Sequence, residues 1–338
     1  MYTDIPFTLS LVFMLGGLAA LAWSSGVFVD GSAAVAKALG VSPFIIGMVI
    51  IGFGTSAPEL CVSTLSGLSG HANLSLGNAY GSNIFNIAII LGVAALISPL
   101  VVRPSVSFVS GLGLVAISLF SLWVLRDGVC SRVDASLFLG LFLVILPLYC
   151  WYDQKTNTAE KEDGENEEEP RQHVCFLFLK VLLGLGLLIG SSHLLVWGAV
   201  DFAKFMHVND LVIGLTIVAA GTSLPELASA VVSARRGKHE FVLGNIIGSN
   251  LFNTLAVVGL ATFISPIVPG KDGSSAFSPY ILTRDIPLMA FLSFSILLFG
   301  MNWKSVRKPG SIQRKEALVW IAIFVAYTVL MFYQETHS

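Results

Sequence analysis

The chain has 338 residues, of which 55% are hydrophobic and 12% charged, with 19 Lys and Arg against 21 Asp and Glu. A soluble domain carries about 25% charged residues, so this composition cannot clothe a water-facing surface of that size. The net charge of −2 says little by itself, and no nucleic-acid partner is expected.

Ten apolar runs approach or exceed the ~20 residues that a helix needs to cross hydrocarbon. In chain order they lie near 7–29, 43–69, 74–98, 106–125, 133–152, 174–203, 210–234, 240–266, 284–302 and 316–333. The alternating pattern of a membrane β-barrel is absent. The first run has no basic start and no A-x-A-like cleavage site, and it continues to Gly40. It reads as a retained helix rather than a removable signal.

One hydrophilic stretch, DQKTNTAEKEDGENEEEPRQH at 153–173, separates five spans from five. It lacks the frame of a Ca2+-binding loop and reads as a solvated acidic linker. An odd number of spans per half makes the second half enter the membrane upside down. The expected organisation is therefore two inverted five-helix repeats, 1–152 and 174–338, joined by the linker. Cys61, Cys130, Cys150 and Cys175 show no CxxC spacing and read as small packing residues.

With ten spans, one side of the membrane receives 14 of the Lys and Arg residues. The other receives five: Arg126, Arg132, Lys204, Lys271 and Arg284. The positive-inside rule makes the first side cytoplasmic and places both termini outside. The short linker and the lack of regulatory segments suggest a prokaryotic inner or plasma membrane.

The halves are also duplicated in sequence. FIIGMVIIGFGTSAPEL at 44–60 returns as LVIGLTIVAAGTSLPEL at 211–227, and SLGNAYGSNIFNIAIILGVAALISPL at 75–100 as VLGNIIGSNLFNTLAVVGLATFISPI at 242–267. A single offset of 167 residues, which carries Glu59 onto Glu226, aligns both blocks without a gap. The repeated polar positions lie inside apolar runs, where such residues are costly and their default reading is functional.

Pro58 has no N–H for the carbonyl of Gly54, and Pro225 none for that of Gly221, so each helix should kink or open there. Gly52 and Gly54 weaken the same turn. Freed carbonyls are tolerable at membrane depth only in a protein-lined or wet cavity, and hard cations use such oxygens as ligands. Thr55, Ser56 and Glu59 share a face if the turn is roughly helical, and Thr222, Ser223 and Glu226 repeat it. In the following span Asn78, Ser82 and Asn86 form a stripe at i, i+4 and i+8, copied by Asn245, Ser249 and Asn253. Asn83 and Asn250 fall one residue off it.

Two carboxylates carry −2, which one Ca2+ or two Na+ would neutralise, and the motifs hold no Arg or Lys for an anion. The lack of nitrogen and sulfur ligands argues against Zn2+ or Cu+. Each part also has a plain structural reading: a Pro kink, a small-residue packing face, or a protonated buried Glu. Two such half-sites at matched positions favour a cation cage. His193 and Trp197 read as packing or interfacial residues.

At these blocks the chain resembles the cation/Ca2+ exchanger superfamily, in its sodium/calcium exchanger branch. GTSAPEL with GNAYGSNIFN, and GTSLPEL with GNIIGSNLFN, carry the likeness over about 100 residues, and the ten-span layout fits the rest. The resemblance implies ten transmembrane helices with outward termini, transported Ca2+ and Na+ with no cofactor, and a central cluster of sites for one Ca2+ or about three Na+. Carried over by position, it implies ligands at Thr55, Ser56, Glu59, Ser82 and Asn86, and at Thr222, Ser223, Glu226, Ser249 and Asn253. Backbone oxygens would come from Gly52 and Ala219. It also implies that the long first and sixth spans, 7–39 and 174–206, slide as a gating pair, with the monomer as the working unit.

Some relatives, the potassium-dependent ones among them, have Asp where Asn253 stands. Asn in both repeats leaves two acidic ligands and resembles potassium-independent Na+/Ca2+ exchange. A Ca2+/H+ antiporter on the same scaffold is the alternative, since either Glu could exchange a proton. A passive channel stays open at this stage. An intramembrane serine protease built on Ser56 or Ser223 is disfavoured, because no histidine recurs near both motifs.

Overall fold

The computed structural model describes residues 7–157, 174–206, 219–268, 276–305 and 308–337. Most of the acidic stretch, from 158 to 173, and the start of the seventh span, up to 218, lie outside the described residues. The helices in chain order are α1 Phe7–Leu39, α2 Pro43–Thr55, α3 Ala57–Leu68, α4 Ala72–Ile97, α5 Pro104–Leu125, α6 Arg132–Asn157, α7 Val174–Phe205, α8 Ala219–Thr222, α9 Leu224–Arg235, α10 His239–Ile264, α11 Ile281–Gly300 and α12 Arg314–His337. Helices α2 and α3 form one span bent by 43°, and α8 and α9 repeat that break. This is the ten-helix, inverted-repeat architecture, all-α apart from two short strand pairings.

Helices α4 and α10, which carry the GNxxGSN blocks, lie at the centre. The apolar window of α10 is 89% buried, that of α12 only 11%. The outer helices instead present large apolar side chains such as Leu143, Val144, Leu182, Leu183 and Val329. A continuous exposed surface of that kind belongs against lipid tails.

Small residues set how closely the central helices approach. A Cβ on Gly52 of α2 would come within 2.9 Å of both Asn245 O and Ser249 N in α10. The two longest helices, α1 and α7, cross in the same way. A Cβ on Gly17 would meet Leu195 N at 2.6 Å, and one on Gly184 would meet Phe28 Cα at 2.9 Å. These contacts are copies of each other at the 167-residue offset. Without a hydrophobic force between helices in lipid, close backbone approach through small residues is what holds such a pair.

Two short strand pairings tie the repeats together. Strand β1 Leu100–Val102, after α4, pairs antiparallel with β2 Gly310–Ile312, before α12. After α10, Ile267 makes the corresponding bridge to Cys130 between α5 and α6, with N–H···O distances of 2.8 and 2.9 Å.

Two sequence readings are corrected. The fifth span does not end at 152: α6 continues to Asn157, and Asp153 is buried at 4% exposure. Its carboxylate accepts from Ser42, the residue capping α2, and from Arg103 at 3.3 Å. Arg103 also bonds Glu240 of α10 at 2.6 Å. The first residue assigned to the solvated linker is thus part of a buried ion network. Among the cysteines, Cys61 and Cys175 are exposed rather than packed.

Candidate ion-binding site

The site is built around two breaks. After Thr55 the helix opens at Ser56 (φ −83°, ψ 7°) and restarts at Ala57, with Pro58 in the first turn where its missing N–H has no partner to lose. Ser223 (φ −91°, ψ 7°) and Pro225 repeat the turn. Glu59 and Glu226 follow in the first turn of α3 and α9, and both are fully buried.

Each glutamate is held by a serine from the other repeat. Ser56 Oγ donates to Glu226 Oε1 at 3.0 Å, and Ser223 Oγ donates to Glu59 Oε1 at 2.9 Å. Thr55 Oγ1 donates to Ile51 O at 2.9 Å and lies 3.4 Å from Asn245 Oδ1. The two half-motifs therefore meet face to face in space.

The helices beside the breaks are locally widened. Turns of π-helix run over Gly47–Gly52 in α2, Asn86–Leu91 in α4 and Phe252–Val257 in α10. Gly52, Asn86 and Asn253 therefore all sit on i→i+5 segments, which occur mostly as single turns at functional sites. Ser249 Oγ donates to Gly52 O at 3.2 Å, and that carbonyl also accepts from Ser56 N at 3.2 Å. Ser82 and Ser249 are buried, and Ala219 is the first residue of α8.

Among the buried side-chain atoms without a hydrogen-bond partner in the described residues are Glu59 Oε2, Glu226 Oε2, Asn86 Oδ1 and Asn253 Oδ1, together with Asn83 Oδ1 and Asn253 Nδ2 of the same motifs. Buried acceptors without donors are rare enough to call for a cause. The two glutamate oxygens, and the amide oxygens of Asn86 and Asn253, lie at matched positions of the two motifs. A dehydrated hard cation would satisfy them together.

Asn78 and Asn245, which head the two stripes, act as braces. Asn78 Nδ2 donates to Glu59 O at 3.0 Å and Ser63 Oγ at 2.9 Å. Asn245 Nδ2 reaches Glu226 O at 3.4 Å and Ser229 Oγ at 3.0 Å. They hold the backbone of each glutamate against the next span. The off-stripe pair also has a role that spacing did not reveal: Asn250 Oδ1 accepts from Asn86 Nδ2 at 3.0 Å, while Asn83 Nδ2 donates to Thr254 Oγ1 at 2.6 Å.

Helix α7 of the long crossing pair packs on both breaks and hydrogen-bonds one: a Cβ on Gly54 would come 2.9 Å from Leu185 Cδ2, and one on Gly221 2.5 Å from Val196 Cγ2. Ser192 Oγ on α7 donates to Gly221 O at 3.0 Å, the carbonyl left without an i+4 partner by Pro225. The equivalent residue on α1, Ser25, donates to Ala22 O in its own helix at 2.9 Å. Trp197 packs on Phe13, ring centroids 5.1 Å apart.

Comparison with known proteins places this arrangement. The family described as "Sodium/calcium exchanger protein" matches residues 9–151 and 176–333. The putative antiporter CaxA of Alkalimonas amylolytica is 37% identical over 95% of this chain and 98% of its own length. The sodium/calcium exchanger MaX1 of Methanosarcina acetivorans is 30% identical over 96% and 99%. A solved structure of the sodium-calcium exchanger NCX_Mj soaked with Na+ and Sr2+ superposes with a TM-score of 0.78 at 28% identity, covering 96% of this chain and 99% of that one. The chain is a membrane-spanning ion exchanger and belongs to the sodium/calcium exchanger family.

Proposed function

We propose that the protein exchanges Na+ for Ca2+ across the membrane by alternating access to one midplane site. The observation that carries this reading is the set of four buried, donor-free oxygens on Glu59, Glu226, Asn86 and Asn253. The hydroxyls of Thr55, Ser56, Ser82, Thr222, Ser223 and Ser249, with the backbone oxygens of Gly52 and Ala219, complete the proposed coordination.

Charge then supplies the coupling. Two carboxylates balance one Ca2+, or two Na+, so the same cage accepts either load and the two ions compete. With three Na+ bound, the occupied site carries +1, and one net charge crosses per cycle. That charge is worth about 2.3 kcal/mol per 100 mV. Positive-inside counting puts the Arg235–Lys238 end in the cytoplasm and the termini outside.

The test is 45Ca2+ uptake into proteoliposomes under three conditions: an outward Na+ gradient, matched Na+, and a pH gradient alone. Uptake driven by the Na+ gradient is expected. Uptake driven only by the pH gradient would keep the site and move the protein to Ca2+/H+ antiport.

A further inference from the structure

The two repeats match in sequence at the site, yet the gating pair does not treat them equally. Helix α1 lies along α9, whereas α7 makes no comparable contact with α3, the symmetry mate of α9. Leu224 and Ala228 of α9 pack against the cluster formed by Leu21, Phe28 and Val35 of α1 with Val181 and Leu188 of α7. The residue equivalent to Ala228 in α3 is Cys61, and it is exposed. One end of the gating pair is closed on the core, and the opposite end stands off it.

The closed end carries charges that its counterpart lacks. Asp30 on α1 makes an ion pair with Arg236, and its Oδ1 also accepts from Lys238 Nζ at 3.3 Å. Arg236 Nη1 reaches back to Gly26 O at 3.3 Å. A Cβ at Gly26 would sit 3.1 Å from Arg236 Nη2, so the glycine makes room for the guanidinium. Arg236 and Lys238 lie in the turn between α9 and α10 and belong to the core. At the offset of 167, Asp30 corresponds to Trp197, Arg236 to Ser69, Lys238 to His71 and Gly26 to His193. Those four positions hold no carboxylate–cation pair.

We infer that Asp30, Arg236 and Lys238 form a one-sided ionic latch that biases the chain toward the access state closed at the Arg236 end. This rests on the alternating-access reading above. In an inverted repeat the second state is reached when the halves exchange conformations. Helix α7 would then close over α3 as α1 now closes over α9, covering Cys61 as Ala228 is covered here. Sliding α1 away from the α9–α10 turn breaks the latch, and no equivalent contact replaces it at the other end. The three side chains are 28–46% exposed, so the bias is modest and screened by salt.

Cys61 provides the readout. In a variant with Cys130, Cys150 and Cys175 replaced by Ala, alkylation of Cys61 by a water-soluble maleimide is followed in lipid nanodiscs, where both faces are open. Asp30→Asn is expected to slow labelling by about two- to fivefold. Arg236→Gln should act in the same direction, and the double variant should add little to either change. Raising choline chloride to about 1 M should slow labelling of the unsubstituted latch as well, which needs no mutation. Labelling that responds to Ca2+ and Na+ but not to these variants or to salt would overturn the latch alone. Labelling indifferent to both ions would overturn the alternating-access reading, and the latch with it.

Discussion

The hydroxyls of Ser24 and Ser191 lie 3.2 Å apart at the crossing of α1 and α7, and the two residues are separated by the repeat offset of 167. They mark the pseudo-twofold axis of the molecule where its two long helices cross. Gly17 and Gly184 flank the crossing on their respective helices, each pressed against the backbone of the other. We expect Gly184→Leu to lower stability by about 1–3 kcal/mol through overpacking and to reduce exchange strongly. Thermal unfolding in detergent, with flux measured at equal protein, checks both.

The carboxylates should be needed as charges rather than as shapes. Glu59→Gln and Glu226→Gln keep side-chain volume and remove half of the negative charge of the cage. Each is expected to abolish Ca2+ flux while leaving a folded, monodisperse protein. Size-exclusion profiles alongside 45Ca2+ uptake separate loss of function from loss of fold.

Symmetry makes a quantitative demand on the serines. Ser56 and Ser223 each donate to the glutamate of the other repeat. Ser56→Ala and Ser223→Ala each remove a donor from a buried carboxylate, costing about 1–3 kcal/mol. The two variants should lose similar stability in ion-free buffer and recover most of it in Ca2+, when the cation replaces the lost partner. Melting temperatures with and without Ca2+ test this.

Asn253→Asp adds a third carboxylate to a cage of two. At about 4 Å and an effective dielectric near 20, one added charge contributes several kcal/mol toward a divalent ion before desolvation is subtracted. We expect Ca2+ binding at least about tenfold tighter, with slower exchange because release becomes limiting. Equilibrium 45Ca2+ binding and initial flux rates give the two numbers.

Ser192→Ala removes the hydrogen bond that seats α7 on the broken turn at Gly221. Ser25→Ala removes only a bond within its own helix. The first should cost about 1 kcal/mol in this conformation and the second less, a difference visible as unequal shifts in melting temperature.

Local chemistry was readable in the chain. Pro58 and Pro225 act on their own turns, so the breaks and the glutamates behind them followed from the residues alone. Contacts between repeats were not readable. That Ser56 serves Glu226 rather than nearby Glu59 depends on how two distant helices face each other, and Asn78 brings its amide to the backbone of Glu59 only once α4 has packed on α3. Helical periodicity placed Asn78 on the same stripe as Asn86 but could not tell a brace from a donor-free oxygen. The burial of Asp153 was equally hidden, because its partners Ser42 and Arg103 come from other spans. Nor could a duplicated sequence reveal that its two long helices sit unequally on the two halves.

The central claim is one cage, made by both repeats, that holds either ion. Its most direct test is 45Ca2+ binding to purified protein titrated with Na+, for the unsubstituted chain and for Glu59→Gln and Glu226→Gln. Na+ should displace Ca2+ fully, with a dependence steeper than first order, and either substitution should remove high-affinity Ca2+ binding. Ca2+ binding that persists in one of the two variants, or that saturating Na+ leaves in place, would contradict a shared site.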